Sequence, residues 1–133
     1  MTLDDSALKK LIQYWEKGST LDWQTSTEIL NGTQRFSAAL FYLHLSLEKS
    51  FKAKLVSRTK AHAPYTRNLL HLVEKLGWEV DDATLNILAQ INDFNLEARY
   101  PDEKREFELK ATKEFANEFL EKGRDILKWI SQN

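Results

Sequence analysis

Apolar residues recur at helical intervals along almost the whole chain, and polar punctuation divides them into segments. The first segment carries Leu8, Leu11, Ile12 and Trp15, then Leu21, Trp23, Ile29 and Leu30. Asp4 or Asp5 can cap it, and Asn31-Gly32 closes it. Gly18-Ser19 interrupts the stripe, so residues 4–31 read equally as one helix or as two. The second segment predicts a helix over residues 34–59. Phe36, Leu40, Leu43 and Leu47 are spaced four, three and four apart and share one face. Ala38, Phe41, Tyr42 and Leu45 widen that face until the helix is apolar on nearly all sides, which suits the middle of a bundle. In its second half Glu48, Lys49, Lys52, Lys54 and Arg58 interleave with Phe51, Leu55 and Val56, which predicts an amphipathic end that reaches the surface.

Pro64 predicts a loop over residues 60–67. Thr66 or Asn68 can cap a short helix over residues 67–76 that ends at Gly77. Asp81 or Asp82 caps the next, over residues 83–99, and Pro101 disfavours α geometry at Tyr100. The last helix is predicted over residues 104–130, with Phe107, Ala111, Phe115, Phe119, Ile126 and Ile130 as its core stripe. The sum is an all-α bundle of four to six helices with short connections, residues 1–133 forming one domain.

Composition agrees and excludes several chemistries. With 42% apolar and 29% charged residues, the chain can fill one core and keep its outside wet. Four glycines and two prolines are too few for a turn-rich all-β fold. The absence of cysteine removes disulfides, cysteine-ligated metals and a thiol nucleophile. The formal net charge of −1 argues against bulk polyanion binding but leaves room for a local basic patch. The apolar run 38–45 is far shorter than the roughly 20 residues that cross a bilayer. The acidic start lacks a basic-then-apolar leader pattern, so a cytoplasmic location is expected.

Three groups of residues can carry chemistry. Lys49, Lys52, Lys54, Arg58, Lys60 and Arg67 fall in a span without a single Asp or Glu. Such a cluster can hold a phosphate or an RNA backbone, and equally can complement the end of a helix dipole. Asn92, Asn95 and Arg99 lie three and four apart, along one face of the predicted helix 83–99, beside a core face of Ile87, Ile91, Phe94 and Ala98. Two amides and a guanidinium in line can grip a phosphate or form a structural network. The histidines are His44, His62 and His71, whose spacing matches no zinc pattern, so no metal is expected. His44 reads as a satisfied core or interface residue, and Glu48 as half of an ion pair. A histidine that moves protons and an arginine that steadies phosphorane charge can together cleave RNA through its 2′-hydroxyl. Arg67 and His71, four apart, are candidates for that pair. No P-loop, dinucleotide fingerprint or nucleophile elbow is present, and no cofactor is expected.

Longer stretches resemble a known family. Phe41-Tyr42-Leu43-His44-Leu45-Ser46-Leu47-Glu48-Lys49-Ser50-Phe51-Lys52-Ala53 resembles the central helix of the HEPN family (higher eukaryotes and prokaryotes nucleotide-binding). Ala63-Pro64-Tyr65-Thr66-Arg67-Asn68-Leu69-Leu70 resembles its proline loop, and Asn92 through Ala98-Arg99-Tyr100-Pro101-Asp102 its most recognisable signature. Tyr14-Trp15 through Asp22, and Lys128-Trp129-Ile130, are similar to its two ends. The resemblance implies an up-and-down bundle of about five helices, commonly a homodimer. It further implies a prokaryotic protein that partners a minimal nucleotidyltransferase in a toxin–antitoxin module and binds a nucleotide or RNA. Carried over by position, its signature residues are Lys49, Lys52, Arg99, Tyr100, Pro101 and Asp102, to which the reading of the residues adds Arg67, Asn92 and Asn95 as site candidates. Many family members are metal-independent RNases with Arg, four to six residues, then His. Here Arg67–His71 and Arg58–His62 each enclose three residues, and Arg35–His44 encloses eight. The resemblance therefore leaves open a binding module, an RNase toxin in which Arg99, or Arg67 with His71, completes a composite site across a dimer, and a purely structural dimer.

Overall fold

The computed structural model describes residues 2–133. Its elements are α1 (Asp5–Gly32), α2 (Phe36–Thr59), α3 (Leu69–Leu76), α4 (Asp82–Asn92), a 3₁₀ turn (Leu96–Ala98), α5 (Pro101–Lys110) and α6 (Lys113–Ser131). The expected helical bundle is present, with six α-helices among the described residues where the resemblance implied about five. None of these helices is long and apolar enough to cross a membrane.

Residues 4–31 resolve into one helix. Asp4 caps it by accepting from the Ala7 amide at 2.8 Å, and the chain runs through Gly18 without a break. An interior glycine costs about 1 kcal/mol of helix propensity. Close packing against α2 offsets it here, because a Cβ at Gly18 would stand 2.9 Å from Lys49 Cδ. The inward edge of α1 is also more polar than the Leu21-containing stripe predicted. Leu21 is exposed, while Ser19, Asp22, Ser26 and Leu30 are buried. Ser19 Oγ donates to the Ser46 carbonyl and Ser46 Oγ donates to the Ser19 carbonyl, each at 2.8 Å. Ser26 Oγ donates to the Ala39 carbonyl at 2.6 Å. These short side chains bring two backbones together and satisfy their own hydroxyls in doing so.

α2 is the central helix, touching α1, α3, α4, α5 and α6. Ala39, Leu40, Leu43, Leu47, Phe51 and Val56 are fully buried. Where α6 crosses it, a Cβ on Gly123 would overlap a Leu43 methyl, so that crossing depends on a glycine. The second half of α2 is less exposed than an amphipathic end would be, since Lys52, Ala53 and Leu55 are buried as well.

Two predicted helices end early. The helix expected over residues 83–99 stops at Asn92. Phe94 then turns into the core, where its ring lies 5.3 Å from Phe107, 5.8 Å from Phe115 and 5.0 Å from Phe119. Ala98, expected on the core face, is exposed as a result. The helix expected over residues 104–130 divides at Ala111-Thr112, where Thr112 caps α6 by accepting from the Phe115 amide at 3.1 Å. Pro101 stands at the first turn of α5, where its missing N–H goes unused.

Candidate functional site

The loop between α2 and α3 and the segment between α4 and α5 meet at one end of the bundle. Asn68 caps α3 and accepts from the Leu70 and His71 amides. Asn92, at the end of α4, accepts from the Leu69 amide at 2.8 Å and donates to Asn68 Oδ1 at 2.9 Å. These bonds tie the loop to the end of α4. Both amides are spent on structure.

Arg67 is fixed from behind. The His44 Nε2–H donates to its carbonyl at 2.9 Å, which leaves His44 Nδ1 unprotonated and without a partner. Burial pushes the His44 pKa from 6.5 down to about 4, against the opposing pull of that hydrogen bond, so the ring is neutral at neutral pH. The Arg67 guanidinium reaches outward, with Nη1 2.8 Å from Glu97 Oε2, and its Nε lies 4.0 Å from the buried Glu48 Oε1. Arg99 donates to the Asp93 carbonyl, stands with Nη2 3.8 Å from Asp93 Oδ1, and lies over the Phe107 ring at 5.6 Å.

Between them opens a cleft of about 500 Å³ lined by Arg67, Asn92, Asn95, Arg99, Asp93 and Glu103, among others. Four of the residues singled out in the sequence therefore come together. They do so without the shared helix face that suggested three of them, because Asn95 and Arg99 follow the end of α4. Asn95 Oδ1 is buried and has no hydrogen-bond partner. Two guanidinium groups face three carboxylates, those of Asp93, Glu97 and Glu103, so acids exceed cations by one around the cleft.

The other sequence candidates lie elsewhere. Lys49 reaches across to α1 and stands 2.7 Å from Asp22 Oδ2, an ion contact off the hydrogen-bond direction. Lys52 is buried, 2.9 Å from Glu48 Oε2 and over the Trp15 ring at 5.2 Å. Neither lysine forms part of an open basic surface, because the acids that answer them come from α1 and from one turn earlier on α2. Glu48 does form the expected ion pair. Tyr100 and Asp102 are exposed at the start of α5, outside the cleft lining. His71 is exposed on α3, and Arg67 precedes the Asn68 cap, so the two are not neighbours on a helix face. Asp93, Glu97 and Glu103 were not singled out in the sequence. The only signal for them there is that all three flank Arg99.

A HEPN domain family model matches residues 12–133 of the chain. No curated protein matches it. The crystal structure of TT1696 from Thermus thermophilus is similar, with a TM-score of 0.76, covering 91% of this chain and 96% of that one at 17% identity. At that identity the likeness speaks for the fold alone.

Proposed function

This chain belongs to the HEPN domain family, and from that premise we propose that it binds the phosphate backbone of RNA, or the phosphate of a nucleotide, in the cleft between Arg67 and Arg99. Family membership supports a nucleotide- or RNA-directed role. The observation that carries the specific reading is the convergence of two guanidinium groups from distant segments on one open cleft. Guanidinium forks match phosphate oxygens, and the unpartnered Asn95 Oδ1 would accept from a hydroxyl or amino group beside the phosphate. In this reading residues 1–133 are a single cytoplasmic domain that acts as a homodimer, as HEPN domains commonly do. Its partner is a minimal nucleotidyltransferase in a prokaryotic toxin–antitoxin module.

Binding is favoured over cleavage by one observation: no histidine lines the cleft. His44 backs Arg67 with its Nε2–H engaged, and His71 faces outward on α3. A composite RNase site would need a histidine brought from a second copy.

The test is fluorescence anisotropy of a labelled oligouridylate across a salt series, with products checked on a gel in chelator. Single-stranded binding gives a slope of log K against log salt of about −0.7 per phosphate contacted. Arg67→Ala and Arg99→Ala should each flatten the slope by about that amount, with the oligonucleotide intact. Unchanged slopes would overturn the proposal, and cleavage lost in Arg99→Ala would favour the RNase reading.

A further inference from the structure

Each arginine of the cleft is already answered by a carboxylate from one short segment, residues 93–99. Glu97 Oε2 stands 2.8 Å from Arg67 Nη1, and Asp93 Oδ1 stands 3.8 Å from Arg99 Nη2. Glu97 and Asp93 are solvent-exposed, with 60% and 74% of their side-chain surfaces open. Among the described residues, the arginines are the ion-pair partners of both carboxylates.

Arg67 faces a second carboxylate of opposite character. Glu48 is buried, its Oε2 is taken by Lys52 at 2.9 Å, and its Oε1 has no hydrogen-bond partner 4.0 Å from Arg67 Nε. A buried acceptor left without a donor is uncommon and costly. Arg67 thus sits between an exposed, replaceable carboxylate and a buried, fixed one, with its own carbonyl pinned by His44.

We infer that Glu97 is a displaceable plug on the cleft: a phosphoryl group takes its place on Arg67 while Glu48 keeps the guanidinium anchored, and the plug lowers the affinity of every ligand that reaches Arg67. The inference rests on the reading of the cleft as a phosphate site. An exposed ion pair is worth at most about fivefold in an equilibrium constant. That is a small barrier to a chain that offers two phosphates at once, since the second displacement, at Asp93, is intramolecular. The same factor applies to inorganic phosphate or a mononucleotide that reaches Arg67, so the plug scales each affinity alike and leaves the preference for a strand to its second phosphate.

The experiment compares wild type, Glu97→Gln, Glu48→Gln and a control, Glu121→Gln on the exposed side of α6. Each is titrated against a labelled oligouridylate and, in competition, against uridine monophosphate and inorganic phosphate. Circular dichroism melts confirm that each variant folds, with Glu97→Ala as a second plug variant. Glu97→Gln should tighten oligonucleotide and mononucleotide binding by a similar factor, up to about fivefold. Glu48→Gln should weaken both, and Glu121→Gln should change neither. If wild type binds RNA and Glu97→Gln binds equally or more weakly, the plug is refuted while the phosphate reading stands. Equal gains in Glu97→Gln and Glu121→Gln would refute it too, as a general charge effect. If neither wild type nor Glu97→Gln binds RNA, both readings fall. Binding in Glu97→Gln alone would support both.

Discussion

Replacing Phe94 with alanine tests the most consequential departure of the structure from a continuous helix over residues 83–99. Phe94 is 2% exposed and its ring meets Phe107, Phe115 and Phe119 at centroid distances of 5.0 to 5.8 Å. Truncating a buried phenylalanine costs about 3–5 kcal/mol, through lost transfer free energy and the cavity left behind. Three ring contacts put the expected value in the upper half of that range. For a chain of this size each kcal/mol lowers the melting temperature by roughly 3–5 °C, so Phe94→Ala should melt about 12–25 °C below wild type. The companion variant is Ala98→Lys. A helix continued to Arg99 would bury that position and make the lysine cost several kcal/mol. With the helix ended at Asn92 the position is exposed, and the change should stay within about 0.5 kcal/mol. Thermal melts and urea titrations followed by far-ultraviolet circular dichroism read both. A near-wild-type Phe94→Ala together with a strongly destabilised Ala98→Lys would refute the break in the chain and with it the shape of the cleft.

Gly123→Ala should destabilise by about 1–3 kcal/mol despite alanine's better helix propensity, because the new methyl overlaps Leu43; a gain in urea midpoint would contradict the α2–α6 crossing. The buried His44 gives stability a pH dependence. Its folded pKa of about 4 lies below the ordinary 6.5, so between those values the unfolded chain binds the extra proton. Its contribution is therefore complete above about pH 6.5 and is lost as pH falls toward 4, up to about 3 kcal/mol in all. His44→Gln should flatten urea-derived stability across that window relative to wild type, and an unchanged slope would show that another group carries it.

Much of the fold was legible because local signals and the burial pattern agreed. The apolar stripe of α2 is read directly from residue type and spacing, and each of the caps at Asp4, Asn68 and Asp81 is one of the two nearby candidates that residue type offers. The ends that misled are those decided by tertiary contacts. Nothing local marks Asn92 as a helix end, since its side chain bonds the backbone of α3 and the residue that caps it. Thr112 could cap a helix, but its neighbours continue the 3.6-residue pattern, and only the aromatic packing around Phe107 and Phe115 shows that the chain turns. The site was legible in the same uneven way. Arg67, Asn92, Asn95 and Arg99 stood out by residue type, although helix periodicity misplaced Asn95 and Arg99. Lys49 and Lys52 stood out as cations in a span free of acids. Their partner acids, Asp22 and Glu48, lie before that span in the sequence and beside it in space. The carboxylates that answer Arg67 and Arg99 carried no sequence signal that separates them from ordinary surface acids.

The claim that matters most is that phosphate is bound between Arg67 and Arg99. Its most direct test is an amide and arginine-side-chain nuclear magnetic resonance titration of the isotope-labelled chain with a short oligouridylate. The account predicts that the Nε–H signals of Arg67 and Arg99, the side-chain amide of Asn95 and backbone amides around residues 93–99 shift together and saturate together. Shifts confined to the exposed Arg58 and Lys60 end of α2, or none at all at ligand excess, would contradict it.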